Sequence, residues 1–191
     1  MRVISGKSRG TKIETIDENT TRPTLDRVKE SLFNIIQGKI QGSVVLDLFA
    51  GSGALGIEAL SRGAKEAFFC DVNRSATEII KKNLIKTHLE ENAKVFNCDY
   101  KKFIEKTKGK TKFDIVFIDP PYKMDLAVKA CDELIKGNLV DKNGIIIIET
   151  DEFARDNEEI EKNLSEKVTI VDKRKYGRAN LIFLELKALW G

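Results

Sequence analysis

The chain of 191 residues is 41% hydrophobic and 33% charged, enough to bury one sizeable core but short for two full domains, so one domain with a small appendage is expected. No stretch approaches the roughly 20 apolar residues of a membrane span or the apolar run of a signal peptide, which makes a cytoplasmic protein without membrane contact the expectation. The net charge of +3 is too mild to identify a partner, and the single histidine, His88, excludes mechanisms built on a histidine base or several histidine ligands. Cys70, Cys98 and Cys131 lack the paired spacings of zinc or redox sites, so they read as packed thiols and no metal is expected.

In chain order, Met1 to Thr15 reads as two short strands around the turn Gly6 to Gly10. Thr24 then caps a helix from Leu25 to about Gln37, on which Val28, Leu32 and Ile36 form an apolar face. From Ser43 short apolar runs alternate with helical patterns, the signature of a parallel sheet wrapped by helices. The runs are Val44 to Phe49, Ala67 to Cys70, Ala93 to Asn97, Phe113 to Ile118 and Gly144 to Glu149. Helices fall at Ala54 to Arg62, Ser75 to Thr87, Tyr100 to Lys106 and Leu126 to Lys136, with Gly63 and Gly137 as stops and His88 near a helix end. Val168 to Lys175 and Leu181 to Leu186 lie too close for a parallel crossover and must pair antiparallel. The fold class is therefore α/β, a Rossmann-like, mostly parallel seven-stranded sheet closed by an antiparallel C-terminal hairpin. Residues 1–42 form a hairpin-and-helix extension and 43–191 the catalytic core of one domain.

The segment Asp47-Leu48-Phe49-Ala50-Gly51-Ser52-Gly53-Ala54-Leu55-Gly56 follows a strand and opens a helix, and its glycines allow close approach of a nucleotide-like ligand. That spacing also serves dinucleotide enzymes. Charge separates the two readings: Asp47 would repel a pyrophosphate and attract the ammonium of S-adenosylmethionine. Asp71, twenty residues after Gly51, ends the second strand where a carboxylate can accept both ribose hydroxyls of either cofactor. Asp99 ends the third strand and either accepts from the adenine amine or caps the next helix. Phe49, Ala50, Val72 and Tyr100 complete the expected cofactor set.

Asp119-Pro120-Pro121-Tyr122 ends the fourth strand, and ligands of open α/β sheets bind outside the carboxyl ends of the strands. An exocyclic base amine is a poor nucleophile because its lone pair is delocalised into the ring. Asp119 and the Pro120 carbonyl can accept its two hydrogens and aim that lone pair at a methyl carbon, proline fixing the backbone and Tyr122 stacking on the base.

With these motifs in place the chain resembles the RsmD-type family of 16S ribosomal RNA guanine-N2 methyltransferases over essentially its whole length. The specific signatures are Arg2 to Gly6 with Arg9-Gly10, and Thr21-Arg22-Pro23-Thr24 with Asp26 to Asn34; Asp47 to Gly56 and Asp119 to Tyr122 are shared more widely. The resemblance implies methylation of a guanine N2 in 16S ribosomal RNA, with the small subunit or an assembly intermediate as partner and no obligate protein partner. It implies cofactor binding at Asp47, Gly51, Gly53, Asp71 and Asp99, and catalysis at Asp119 to Tyr122. Candidate RNA contacts are Arg2, Lys7 and Arg9 on the N-terminal arm, Arg22 before the first helix, and Lys173, Lys175 and Arg178 near the C-terminal hairpin. The lysine run Lys101 to Lys112 reads as a solvated face. The motif alone leaves an adenine N6 or a DNA base open as acceptor. A dehydrogenase would need a proton donor that this nearly histidine-free chain lacks, and a noncatalytic RNA-binding protein would need no cofactor.

Overall fold

Strands β1 (Val44–Asp47), β2 (Glu66–Asp71), β3 (Ala93–Asn97), β4 (Phe113–Ile118), β5 (Val140–Thr150), β6 (Val168–Tyr176) and β7 (Ala179–Leu186) form a single sheet in the order 3-2-1-4-5-7-6. The computed structural model describes residues 1–16, 22–121 and 125–188, with the backbone alone for residues 22–24. The first five strands pair in parallel, and β7 runs antiparallel to both β5 and β6, as expected. β6 therefore runs parallel to β5, and the Gly177–Arg178 turn opens at the carboxyl edge of the sheet.

The central strands are nearly all apolar because both faces are covered. Along β5, Ile146 and Ile148 enter the core under α4 (Tyr100–Thr107), α5 (Ala127–Lys136) and α6 (Phe153–Asn163). Ile145 and Ile147 enter the core under α1 (Arg22–Ile40), α2 (Ala54–Ser61) and α3 (Arg74–Thr87). Helix α5 shows how one stripe does this: Ala127, Val128, Ala130, Cys131, Leu134 and Ile135 are buried at helical spacing. All three cysteines are buried free thiols, and burial pushes Cys131 up to about 12.

Several expectations are corrected. Helix α1 starts at Arg22 rather than Leu25, which puts Thr24 inside its first turn. Helix α6 was not anticipated, because only Asp156 and Ile160 of its eleven residues are buried and its apolar periodicity is thin. Gly63 ends its helix in the left-handed region, whereas after α5 that geometry is taken by Asn138 and not Gly137. His88 caps α3 in the same region.

The N-terminal arm forms one antiparallel bridge, Arg2 to Lys12, in place of two strands. Val3, Gly10 and Ile13 N–H still bond across the arm, but other donors turn to the core: Ile4 and Ser5 N–H donate to Glu58, and Lys7 N–H to the Ser61 carbonyl. A Cβ on Gly6 would lie 1.9 Å from the Ser61 oxygen, so this approach requires glycine. Glu58 is wholly buried and also pairs with Lys29 (3.2 Å) and Arg62 (2.9 Å), and Lys29 donates to the Arg2 carbonyl (2.8 Å). This buried hub fastens arm, α1 and α2 together.

Candidate active site

The carboxyl ends of β1 to β5 open into a cavity of about 730 Å³. On one side stand the glycine loop and the strand-end acids Asp47, Asp71 and Asp99; on the other stand Asp119, Pro120, Pro121 and Glu149. Met1, Ile16, Leu25 and Val28 close the cavity with an apolar wall from the arm and α1.

The cofactor side is built by backbone N–H groups. Asp47, 2% exposed, accepts from Gly56 N–H (3.1 Å) at the start of α2. Asp71 receives Gly51 N–H (2.9 Å) on one oxygen and Asn73 N–H (2.8 Å) on the other, locking the loop to β2. Gly51 takes φ 58° with open space where a side chain would stand, so the loop presents bare backbone to the cavity. Asp99 caps α4 by accepting from Lys102 N–H (2.9 Å), which realises its capping role and leaves its second oxygen uncommitted to that cap. Phe49 packs against Tyr100 at 5.9 Å between ring centres, and Val72, 70% exposed, offers an apolar surface at the cavity rim.

Burial is the chief cause that raises Asp47, to about 7; the Gly56 bond opposes it, and the charges of Asp71 and Glu149 add to it. A cation delivered here relieves that frustration. The cavity therefore suits S-adenosylmethionine, which Asp47 would hold at its ammonium, Asp71 at its ribose and Asp99 at its adenine edge. When bound, that cofactor supplies a sulfonium methyl group.

On the acceptor side Asp119 faces the open cavity and is solvent-exposed there, yet protein encloses it on its other sides. That enclosure, then the charges of Glu149 and Asp47, holds its carboxyl well above the ordinary range. Pro120 and Pro121 line the same cavity. Tyr122 lies outside the described residues, as does the side chain of Arg22.

The RNA candidates separate into two groups. The tip of the arm, at Lys7 and Ser8, docks on Ser61 and Thr87, at the ends of α2 and α3 that point away from the glycine loop. Arg2 donates to the Gly10 carbonyl (2.8 Å), and Lys7 and Arg9 are exposed. Lys173, Lys175 and Arg178, by contrast, line a groove of about 700 Å³ beside the catalytic cavity, with Phe153 in its wall. Sequence reasoning missed Glu149, Lys29 and Glu58. Glu149 is next to last in β5 and Asp119 follows β4, a carboxyl-edge position that was a usable signal; Glu58 was marked only by being an acid inside an apolar helix.

The family model described as Conserved hypothetical protein 95 matches residues 1–185. Haemophilus influenzae Ribosomal RNA small subunit methyltransferase D is 40% identical over 79% of both chains. The Escherichia coli protein of the same name is 42% identical over 75% of this chain and 68% of its own. The solved yhhF structure of Escherichia coli superposes with a TM-score of 0.81 at 31% identity, covering 98% of both chains. A Haemophilus influenzae structure gives 0.76 at 34% identity over 96% of each. The glycine loop, the strand-end acids and these relationships together establish that the chain belongs to the RsmD-type family of S-adenosylmethionine-dependent methyltransferases.

Proposed function

We propose that the protein methylates the exocyclic N2 of a guanine in 16S ribosomal RNA during assembly of the small subunit. The observation that carries this reading is the placement of Asp119 and Pro120 across one cavity from the glycine loop. An amine whose hydrogens rest on Asp119 and the Pro120 carbonyl points its lone pair toward the cofactor side. Holding the reactants in that attitude is worth up to ~7–11 kcal/mol of the barrier, so no covalent intermediate is required. The names of the relatives, which specify small-subunit ribosomal RNA, support the choice of polymer. The substrate strand is placed over the groove of Lys173, Lys175 and Arg178, beside the cavity mouth, where cations meet phosphates. Arg2, Lys7 and Arg9 form a second, separate patch for RNA in the proposal, at the ends of α2 and α3 that point away from the glycine loop, with Arg22 a further contact.

The test incubates the protein with methyl-labelled S-adenosylmethionine and unmodified small subunits, their deproteinised RNA, or duplex DNA, and identifies the labelled nucleoside. N2-methylguanosine from ribosomal RNA is the expected result. Label confined to adenine or to DNA would overturn the substrate and keep the chemistry.

A further inference from the structure

Glu149 reaches the catalytic cavity from a different strand than Asp119, and the sheet register explains why they meet. β4 and β5 pair in parallel with Ile118 opposite Ile148, so the next residues, Asp119 and Glu149, emerge side by side at the carboxyl edge. Both line the cavity, and the in-register strand ends bring their carboxyl groups within reach of each other. Two ionised carboxylates have no hydrogen to share, so this contact needs a proton. The titratable groups that face the pair are Asp47 from β1 and Asp151 from the turn after β5, both acids. Lys29, a cation in the cavity wall, is occupied by Glu58 and the Arg2 carbonyl.

We infer that Glu149 is a positioning residue for methyl transfer, sharing one proton with Asp119 so that the bare oxygen of Asp119 faces the acceptor amine. The inference rests on the reading that the acceptor is an exocyclic amine. In the ligand-free pair the contact raises Asp119 and lowers Glu149, so the shared proton rests on Asp119. When the reacting amine engages Asp119 the proton passes to Glu149, which then donates to the oxygen turned away from the base. As the methyl moves, the carbon–sulfur bond breaks with its electrons left on sulfur, and the nitrogen lone pair forms the new carbon–nitrogen bond. The nitrogen then carries positive charge and one hydrogen too many. Asp119 takes that proton, and the pair passes from one proton and one negative charge to two protons and none. It returns to its starting state by releasing a proton to water at the mouth of the cavity, where Asp119 is exposed. Loss of solvent raises both carboxyls, and their contact adds to the rise at Asp119 and opposes it at Glu149, which keeps the pair holding one proton where an isolated carboxylate would hold none.

The test uses the full chain saturated with cofactor and carrying carboxyl-labelled Asp and Glu, with Asp119 and Glu149 assigned from the D119N and E149Q spectra. In the unsubstituted protein the two carboxyls titrate together, above the ordinary carboxylate range. In E149Q, Asp119 titrates alone and lower, because the amide donates to its charged form and the second negative charge is gone. The acid limb of the kcat profile moves to lower pH in the same variant, kcat at its optimum falls about tenfold, and KM for the RNA stays within about twofold. E149D restores coupled titration. Independent titration of the two carboxyls near the ordinary value in the unsubstituted protein, or an unmoved Asp119 titration in E149Q, overturns the inference. The titration involves no acceptor, so it decides the point even if labelling shows that the modified base is not guanine.

Discussion

The two halves of the catalytic cavity hold their acids in opposite ways. On the cofactor side Asp47, Asp71 and Asp99 each accept from backbone N–H groups of the loop or helix that follows, so the fold itself fixes their orientation before any ligand arrives. On the acceptor side Asp119 faces another carboxyl, Glu149, and its remaining capacity is directed into the open cavity. On the proposed reading, one half is preorganised for binding and the other keeps negative charge for the moment at which the acceptor nitrogen becomes positive. In that proposal the same residue type performs two tasks, decided by what its strand end packs against.

If that division is right, loss of Asp119 damages turnover and spares cofactor affinity. Asp119→Ala is expected to lower kcat by roughly 10²–10³-fold, the effect of removing one preorganised group that stabilises transition-state charge, with the cofactor Kd changed by less than about twofold. Calorimetric titration beside single-turnover kinetics checks this, and a large Kd change would merge the two halves. Asp47→Asn should do the reverse. Loss of its charged contact weakens cofactor binding by about 10- to 100-fold.

Asp47 also sets a pH dependence. Its native pKa of about 7 lies above the ordinary carboxylate value of ~4, so between those limits the ligand-free native state binds a proton that the unfolded chain lacks. Stability of the ligand-free protein therefore falls as pH rises from about 4 to about 7. Cofactor affinity moves the other way, rising by up to about tenfold per unit toward pH 7 as Asp47 ionises, then levelling. Asp47→Asn should flatten both profiles, measured by thermal unfolding and calorimetry.

The cofactor half was also the more legible half in the sequence. Its acids end apolar runs and its glycines are adjacent in the chain, so local order carried the information. The strands were readable for a related reason: buried on both faces, they appear as continuous apolar segments such as Ile145 to Ile148. Glu149 closes an apolar run at the carboxyl edge, a signal that was available, but its pairing with Asp119 depends on the β4–β5 register, a tertiary relation that local order does not give. The arm was misread as two strands for a similar reason. Its two sides do bond across the turn at Val3, Gly10 and Ile13, but the buried carboxylate of Glu58 takes the N–H groups of Ile4 and Ser5, so the ladder does not extend into strands. Helix α6 covers the sheet mainly through Ile160, with Asp156 buried beside it, leaving too little periodicity to detect.

The smallest effect tests whether Asp99 belongs to the binding half or only to the helix it caps. Its Oδ1 accepts from Lys102 N–H, and an asparagine retains an oxygen for that bond while replacing the second oxygen with a donor. If Asp99 also accepts from the adenine amine, Asp99→Asn keeps the melting temperature within about a degree and weakens cofactor binding roughly fivefold, about 1 kcal/mol for one hydrogen bond. Asp99→Ala adds the loss of a helix cap, ~1 kcal/mol of stability, and so should lower the melting temperature as well. An Asp99→Asn protein with unchanged affinity would remove Asp99 from the cofactor set and leave it a structural cap, confining the preorganised half to Asp47, Asp71 and the glycine loop between them.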